Sequence, residues 1–330
     1  MGLHCIVSQK ELLEGLNSLQ NITNKKGTLA ILTNVHLETS SNGVFLTGTD
    51  LEIGLRIFVA AEIKETGQLT LPSKKVFEIV RESGSNEIII QETENSWAVV
   101  QAGLSTYNLA GIASDEFPEF PEYKEDTFVT FESHIFLDII DKIIFSIANE
   151  QENIYSLTSV LLEKEKREEQ SYLRMISSDG HRLSIMEKDV ATDVDQLTLN
   201  NVTLIPKKGV QELKKFCEHR DSIDISFEEK QMVVRDNEAI MIVRLKQGEF
   251  PQYKAIIAAV QLDNYLEISR IPFLESLKRI NLFTEDIFHT IQLKIENGVM
   301  TLSSQNADLG NAKDEQNVTY SGDPLSNPGI

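Results

Sequence analysis

Apolar residues recur at helical spacing early in the chain. Leu12, Leu13, Leu16 and Leu19 share one face of a helix predicted from Gln9 to Ile22. A short alternating stretch, His4 to Val7, precedes it and reads as a strand. Strict alternation then predicts strands over Leu32–Leu37, Val44–Thr49 and Ile53–Val59. Leu69–Leu71 starts the next strand. Pro72, whose fixed φ suits a helix entry, opens a second helix over Ser73–Arg81. Strands at Glu87–Gln91, Trp97–Gln101 and Tyr107–Leu109 follow. The unit is a strand, a helix and about three strands, performed twice. Its hairpin-length connections imply α+β architecture with antiparallel sheets.

The whole arrangement then repeats. Leu71-Pro72-Ser73-Lys74-Lys75-Val76 is echoed by Ile205-Pro206-Lys207-Lys208-Gly209-Val210, and Phe117-Pro118-Glu119-Phe120 by Phe250-Pro251-Gln252-Tyr253. Thr49-Asp50-Leu51-Glu52 matches Ser178-Asp179-Gly180-His181 more weakly, in the same order. A period of about 130 residues is too long for a solenoid and implies duplicated domains. Helices of the second copy fall near Ser133–Ala148 and Lys207–His219. A third copy starts near Gln261, with a strand at Tyr265–Ile268 and a helix at Arg270–Asn281. Its hairpin, Ile291–Ile295 and Val299–Ser303, turns on Asn297-Gly298. Residues 323–330 are expected to be unstructured. The expected domains are 1–126, 127–258 and the first half of a third, 259–330.

Charge changes the picture. The 330 residues carry 31 Lys plus Arg against 51 Asp plus Glu, a formal net charge of −20. Such a balance disfavours a nucleic-acid grip over the whole surface. Counted with their flanking residues, as 9–26, 71–81, 133–148, 203–220 and 270–281, the five predicted helices nevertheless sum to +7, leaving −27 on everything else. Lys and Arg are good helix formers, but so is Glu, which is depleted there. A positive track on an otherwise repelling body is the reading favoured. Cys5 and Cys217 have no metal-ligand or disulfide pattern, and no apolar run is long enough for a membrane span. A cytoplasmic protein is expected.

Catalytic signatures are missing: there is no phosphate-binding glycine loop, nucleophile elbow or zinc-binding helix motif. The most enzyme-like string is Ser177-Ser178-Asp179-Gly180-His181-Arg182-Leu183. It has three readings: a tight turn at Asp179-Gly180, a recognition loop presenting Leu183, or an acid–base or metal site on Asp179 and His181. The turn is favoured, and neither a metal nor a cofactor is expected.

Taken together, Thr47-Gly48-Thr49-Asp50-Leu51-Glu52, Leu71-Pro72-Ser73-Lys74-Lys75, Ser178-Asp179-Gly180-His181-Arg182-Leu183, Ile205-Pro206-Lys207-Lys208-Gly209-Val210, Gly248-Glu249-Phe250-Pro251-Gln252-Tyr253 and Val318-Thr319-Tyr320-Ser321-Gly322 resemble the bacterial DNA polymerase III beta subunit, the replicative sliding clamp family. The resemblance implies the DNA clamp fold, an α+β fold of repeated domains, each of two strand-helix-three-strand modules. Antiparallel sheets would form the outside of a head-to-tail homodimeric ring, and helices would line a central hole around duplex DNA. It implies a non-catalytic processivity factor. The implied partners are the DNA polymerase III alpha subunit, the clamp loader, and other polymerases and repair proteins carrying clamp-binding motifs.

Carried over residue by residue, the DNA-facing positions are Lys26, Lys74, Lys75, Arg81, Gln151, Tyr155, Lys207 and Lys208. The partner-peptide groove maps to Leu157, Ser178, Gly180, His181, Arg182, Leu183, Pro251 and Ile256, and the dimer contact to Tyr107 and Leu109 against Leu282 and Phe283. Ala255 stands where the family usually has a basic residue, and Ser178 where it usually has Thr. The family's pattern extends past Ile330 into a second half of domain III, so the competing expectation is an adaptor that binds partner peptides without encircling DNA.

Overall fold

A computed structural model describes residues 2–23, 29–149, 155–192, 194–260, 265–284, 290–306 and 308–327. The chain forms two compact units, Met1–Pro251 and Gln252–Ile330. The first holds four modules of one design. These are β1 (His4–Ser8), α1 (Gln9–Thr23), β2 (Asn34–Thr39), β3 (Gly43–Thr49) and β4 (Ile53–Glu65); then β5 (Gln68–Pro72), α2 (Ser73–Glu82), β6 (Glu87–Glu92), β7 (Trp97–Ala102) and β8 (Ser105–Ala110). The second copy has β9 (Val129–Glu132), α3 (Ser133–Ile143), β10 (Ser159–Arg167), β11 (Gln170–Ser178) and β12 (Leu183–Val190); then β13 (Thr203–Pro206), α4 (Lys207–Cys217), β14 (Ser222–Phe227), β15 (Gln231–Arg235) and β16 (Ala239–Arg244).

The first strand of every module crosses over to the sheet of its sister module. β1 pairs β6 and β5 pairs β2; in the second copy β9 pairs β14 and β13 pairs β10, all antiparallel. The two modules of a copy are thereby interlocked. The strand expected over Ile53–Val59 runs on to Glu65, because Ala61–Glu65 pairs with β1 while Ile53–Ile57 pairs with β16 of the next copy. Leu55 faces Met241 and Ile53 faces Val243 in that junction. One continuous sheet therefore joins the copies.

Helix α1 buries Leu12, Gly15, Leu16, Leu19 and Ile22, the stripe expected from its spacing apart from half-buried Leu13. Fully burying each leucine contributes about 1.5–3 kcal/mol. It packs against α2, as α3 packs against α4. The helix expected to reach Ala148 ends at Ile143 and tightens into a 3₁₀ turn, Ile144–Ser146.

The second unit contains α5 (Tyr253–Ala258), β17 (Leu266–Glu267), α6 (Arg270–Asn281), β18 (Gln292–Glu296), β19 (Val299–Asn306), β20 (Gly310–Asn317), β21 (Thr319–Tyr320) and β22 (Leu325–Asn327). Asn297 and Gly298 have φ of 52° and 75°, the two left-handed residues that a two-residue hairpin turn requires. Ile280, Leu293, Ile295, Met300 and Leu302 form its core. The expectation of an unstructured end is corrected here. Leu325–Asn327 pairs with β18, as β5 pairs with β2 and β13 with β10. Prolines on both sides hide this strand in the sequence, although an edge strand tolerates them at its ends.

Candidate nucleic-acid interface and partner groove

α2 and α4 leave their strands with no intervening loop, Pro72 and Pro206 standing at the junctions. Lys74 and Lys75 fall in the first turn of α2, and Lys207 and Lys208 in that of α4. Neither turn has an acidic residue. A helix N-terminus carries partial positive charge, so cations there oppose the macrodipole and helix stability does not explain them. Together with the free N–H groups they favour a phosphate.

The side chains differ in availability. Lys74 is exposed and has no ion-pair partner among the described residues. Lys75 Nζ donates to Glu78 Oε2 at 2.7 Å, which holds that carboxyl below its ordinary value. Arg81 Nε donates to Glu82 at 2.9 Å, and its guanidinium lies 5.4 Å from the Phe77 ring centre. Lys207 Nζ donates to neutral oxygens, Ile147 O at 3.0 Å and Asn149 Oδ1 at 2.9 Å. Lys208 donates instead to Asp50 of the first copy, with side chains only 16% and 5% exposed. Lys26 and Gln151 lie outside the described residues. Tyr155 starts the 3₁₀ turn Tyr155–Thr158, and its side chain is also outside them.

A cleft of about 820 Å³ lined by Asn21 of α1 and by Lys207, Lys208, Lys214 and Lys215 of α4 brings basic groups of the second copy to the end of α1. Lys214 and Lys215 line this cleft although they are not among the positions carried over from the sequence. Their signal was spacing: each stands seven positions, two helical turns, after Lys207 and Lys208. Both are paired, Lys214 with Asp141 at 2.6 Å and Lys215 with Glu212 at 2.7 Å.

The string from Ser178 to Leu183 is a turn closing β11 onto β12, with Ser178 opposite Leu183. Asp179 Oδ1 accepts the His181 and Arg182 N–H groups at 3.1 and 3.0 Å, and Oδ2 accepts Arg182 Nε at 2.8 Å. Burial pushes the Asp179 carboxyl up, but these donors outweigh it and hold the group below its ordinary value. Gly180, at φ 89°, supplies the left-handed residue. Asp179 is thus engaged in the turn, not poised beside His181 as an acid–base partner.

The turn gathers Ser178, Gly180, exposed His181, exposed Arg182 and half-buried Leu183. The Arg182 guanidinium sits 5.5 Å from the ring centre of Phe145, itself 57% exposed. Leu157 precedes β10 but is buried at 4% exposure, whereas Pro251 is exposed. Ile256 lies exposed on α5 in the second unit. Of the dimer candidates, Tyr107 is exposed and Leu109 half-buried on β8, which pairs only with β7 among the described residues. Leu282 and Phe283 follow α6, the former 71% exposed.

A repeated strand–helix–three-strand architecture, its first strands exchanged between modules and its sheets joined from copy to copy, is the DNA clamp fold. The chain belongs to the DNA polymerase III beta subunit family, the sliding clamps. It matches the N-terminal domain over residues 3–121, the central domain over 130–252 and the C-terminal domain over 260–327. The beta sliding clamp of Halalkalibacterium halodurans is 28% identical over 331 residues, covering 97% of this chain and 85% of that protein. That of Chlamydia muridarum is 25% identical over 320 residues, with the same coverage. Among solved structures, the beta subunit from Pseudomonas aeruginosa superposes with a TM-score of 0.87 at 25% identity, covering 98% of this chain and 86% of that one. The sliding clamp of Bartonella birtlesii, solved bound to griselimycin, superposes with a TM-score of 0.89 at 24% identity and the same coverage.

Proposed function

We propose that the chain is a non-catalytic processivity factor of three domains, 1–126, 127–258 and 259–330, which closes with a second copy into a ring around duplex DNA. It tethers the DNA polymerase III alpha subunit, the clamp loader and other motif-bearing partners through the groove on domain two. The observation that carries the reading is the β4–β16 junction, where the last strand of a first module pairs with the last strand of a second module from the next copy. β20 is likewise the last strand of a first module, and β8 the last of a second. Each has one open edge among the described residues. Pairing β20 with β8 of another copy repeats the joint head to tail and brings in Tyr107, Leu109, Leu282 and Phe283. Lys74 and Lys207 then face the DNA. Topology holds the DNA, so few tight contacts are needed, and tethering raises the polymerase's effective concentration at the template.

The test is retention on nicked circular plasmid. The protein stays on intact circles and slides off once they are linearised; equal loss from intact circles overturns the ring. Sedimentation at twice 37.2 kDa is expected, whereas a monomer favours the adaptor.

A further inference from the structure

A second cleft, of about 570 Å³, is lined by Lys230, Arg244 and Lys246 with Glu52, Gln247, Leu245 and Pro206, the last at the start of α4. Strand pairing builds it. Gln231 opposes Arg244, and the Leu245 N–H donates to Lys230 O at 2.8 Å, which sets the Lys230 and Arg244 positions side by side at one end of the β15–β16 hairpin. The Lys246 N–H donates to Leu204 O at 2.9 Å, and its Nζ donates to Thr158 Oγ1. Lys230 and Arg244 are exposed and pair with no carboxylate among the described residues. The lining holds three cations against one carboxylate, Glu52, a local excess of positive charge in a chain with 51 acidic groups against 31 basic ones. Most other Arg and Lys side chains on these sheets already carry a carboxylate, as Arg167, Arg174, Lys188 and Arg235 do.

The cleft adjoins the groove candidates at two points. Thr158, held by Lys246, directly follows Leu157, and the chain runs from Lys246 through four residues to Pro251. We propose that this cleft receives acidic side chains flanking the apolar motif of a partner peptide, an inference that rests on the groove reading above. Three cations around one concavity suit one or two carboxylates, whereas a nucleic-acid backbone calls for a line of cations along its phosphates. Such contacts at the rim of an interface raise association rate and partner discrimination, and salt weakens them.

The experiment uses the full chain and two fluorescent peptides with one Leu/Phe-bearing motif, flanked by three aspartates or by three asparagines. The acidic peptide binds roughly three- to ten-fold tighter at low salt, and the advantage disappears at high salt. It also disappears in the exposed double variant Lys230→Gln/Arg244→Gln, whose unfolding midpoint stays at the wild-type value. Equal affinity of the two peptides for the wild type, or an advantage that survives in the variant, overturns the proposal. Inorganic tripolyphosphate reads the cleft without the groove: binding lost in the variant supports the anion site, and no binding to the wild type overturns it. Failure of the neutral peptide to bind overturns the groove reading instead.

Discussion

Replacing Lys208 with methionine tests whether this lysine holds the two copies together or meets DNA. Its ammonium reaches Asp50 across the copy junction, beside the point where β4 pairs with β16. Breaking a fully buried pair by removing one partner costs about 3–5 kcal/mol, because a charge is left uncompensated. Asp50 keeps part of its solvation, since Oδ1 still accepts the Glu52 and Ile53 N–H groups at 3.0 and 2.8 Å. The expected loss is therefore lower, about 1–3 kcal/mol. It falls on the junction, so hydrogen exchange at Ile53–Ile57 and Ala239–Val243 is the direct assay; amides there should exchange about ten-fold faster or more. Asp50→Asn should act on the same amides, and the double variant should cost clearly less than the two single losses added. Lys207→Met is the contrast: among the described residues its ammonium bonds neutral oxygens, Ile147 O and Asn149 Oδ1, so it should weaken DNA retention and leave junction exchange unchanged. Wild-type exchange in Lys208→Met, or additive losses in the double variant, refutes the staple and returns Lys208 to the DNA-facing set.

Two further outcomes follow from the core of the first copy. His36 is buried, stacked 5.0 Å from Phe117, and its Nε2 has no partner among the described residues. Burial lowers its pKa, with Glu38 opposing and Arg56 assisting. The unfolded chain therefore binds a proton that the folded one refuses, and stability falls as pH drops below about 6.5. The melting temperature should drop more between pH 7.5 and 5.5 for the wild type than for His36→Phe; equal drops refute the assignment. At Gly111 a methyl group would meet the main-chain oxygens of Thr70 and Ser96, which cannot swing aside. Gly111→Ala should cost about 1–3 kcal/mol, read as a lower urea midpoint, and an unchanged midpoint refutes the crowding.

Modules and helices were legible because periodicity reports burial directly: the α1 stripe comes straight from apolar spacing. Exchange of first strands between modules was not legible, since pairing partners lie dozens of residues away and no local pattern encodes them. β22 was lost for a related reason. Three proline-flanked residues have no periodicity of their own, and the pairing with β18 makes them a strand. Site chemistry was legible as residue type but not as pairing. Lys75, Lys208, Lys214 and Lys215 count as positive charge in the sequence, yet each sits against a carboxylate in the fold. The helical surplus of +7 already subtracts Glu78, Asp141 and Glu212, so of these four lysines it overstates the free charge only through Lys208, whose partner Asp50 lies outside the helices.

The weakest of the sequence echoes proves to be a conserved piece of geometry put to different uses. Thr49 Oγ1 accepts the Leu51 N–H at 3.0 Å, and Ser178 Oγ accepts the Gly180 N–H at 3.1 Å. Asp50 and Asp179 each accept the N–H groups two and three residues on, and Asn306 does the same in the third copy at 2.9 and 3.0 Å. Leu51 adopts φ 72° where the second copy has glycine, a strain of about 1 kcal/mol that the turn overrides. One oxygen of each side chain thus shapes the turn in every copy, and the fold needs no more than that. The second group is free to diverge. In Asp50 it holds Lys208 of the next copy, and in Asp179 it holds Arg182 on its own loop. Asn306 carries no charge and so demands no cation. An Asp beside a His in this string therefore marks a turn shared by all copies, and the specificity lies in which cation its remaining oxygen recruits.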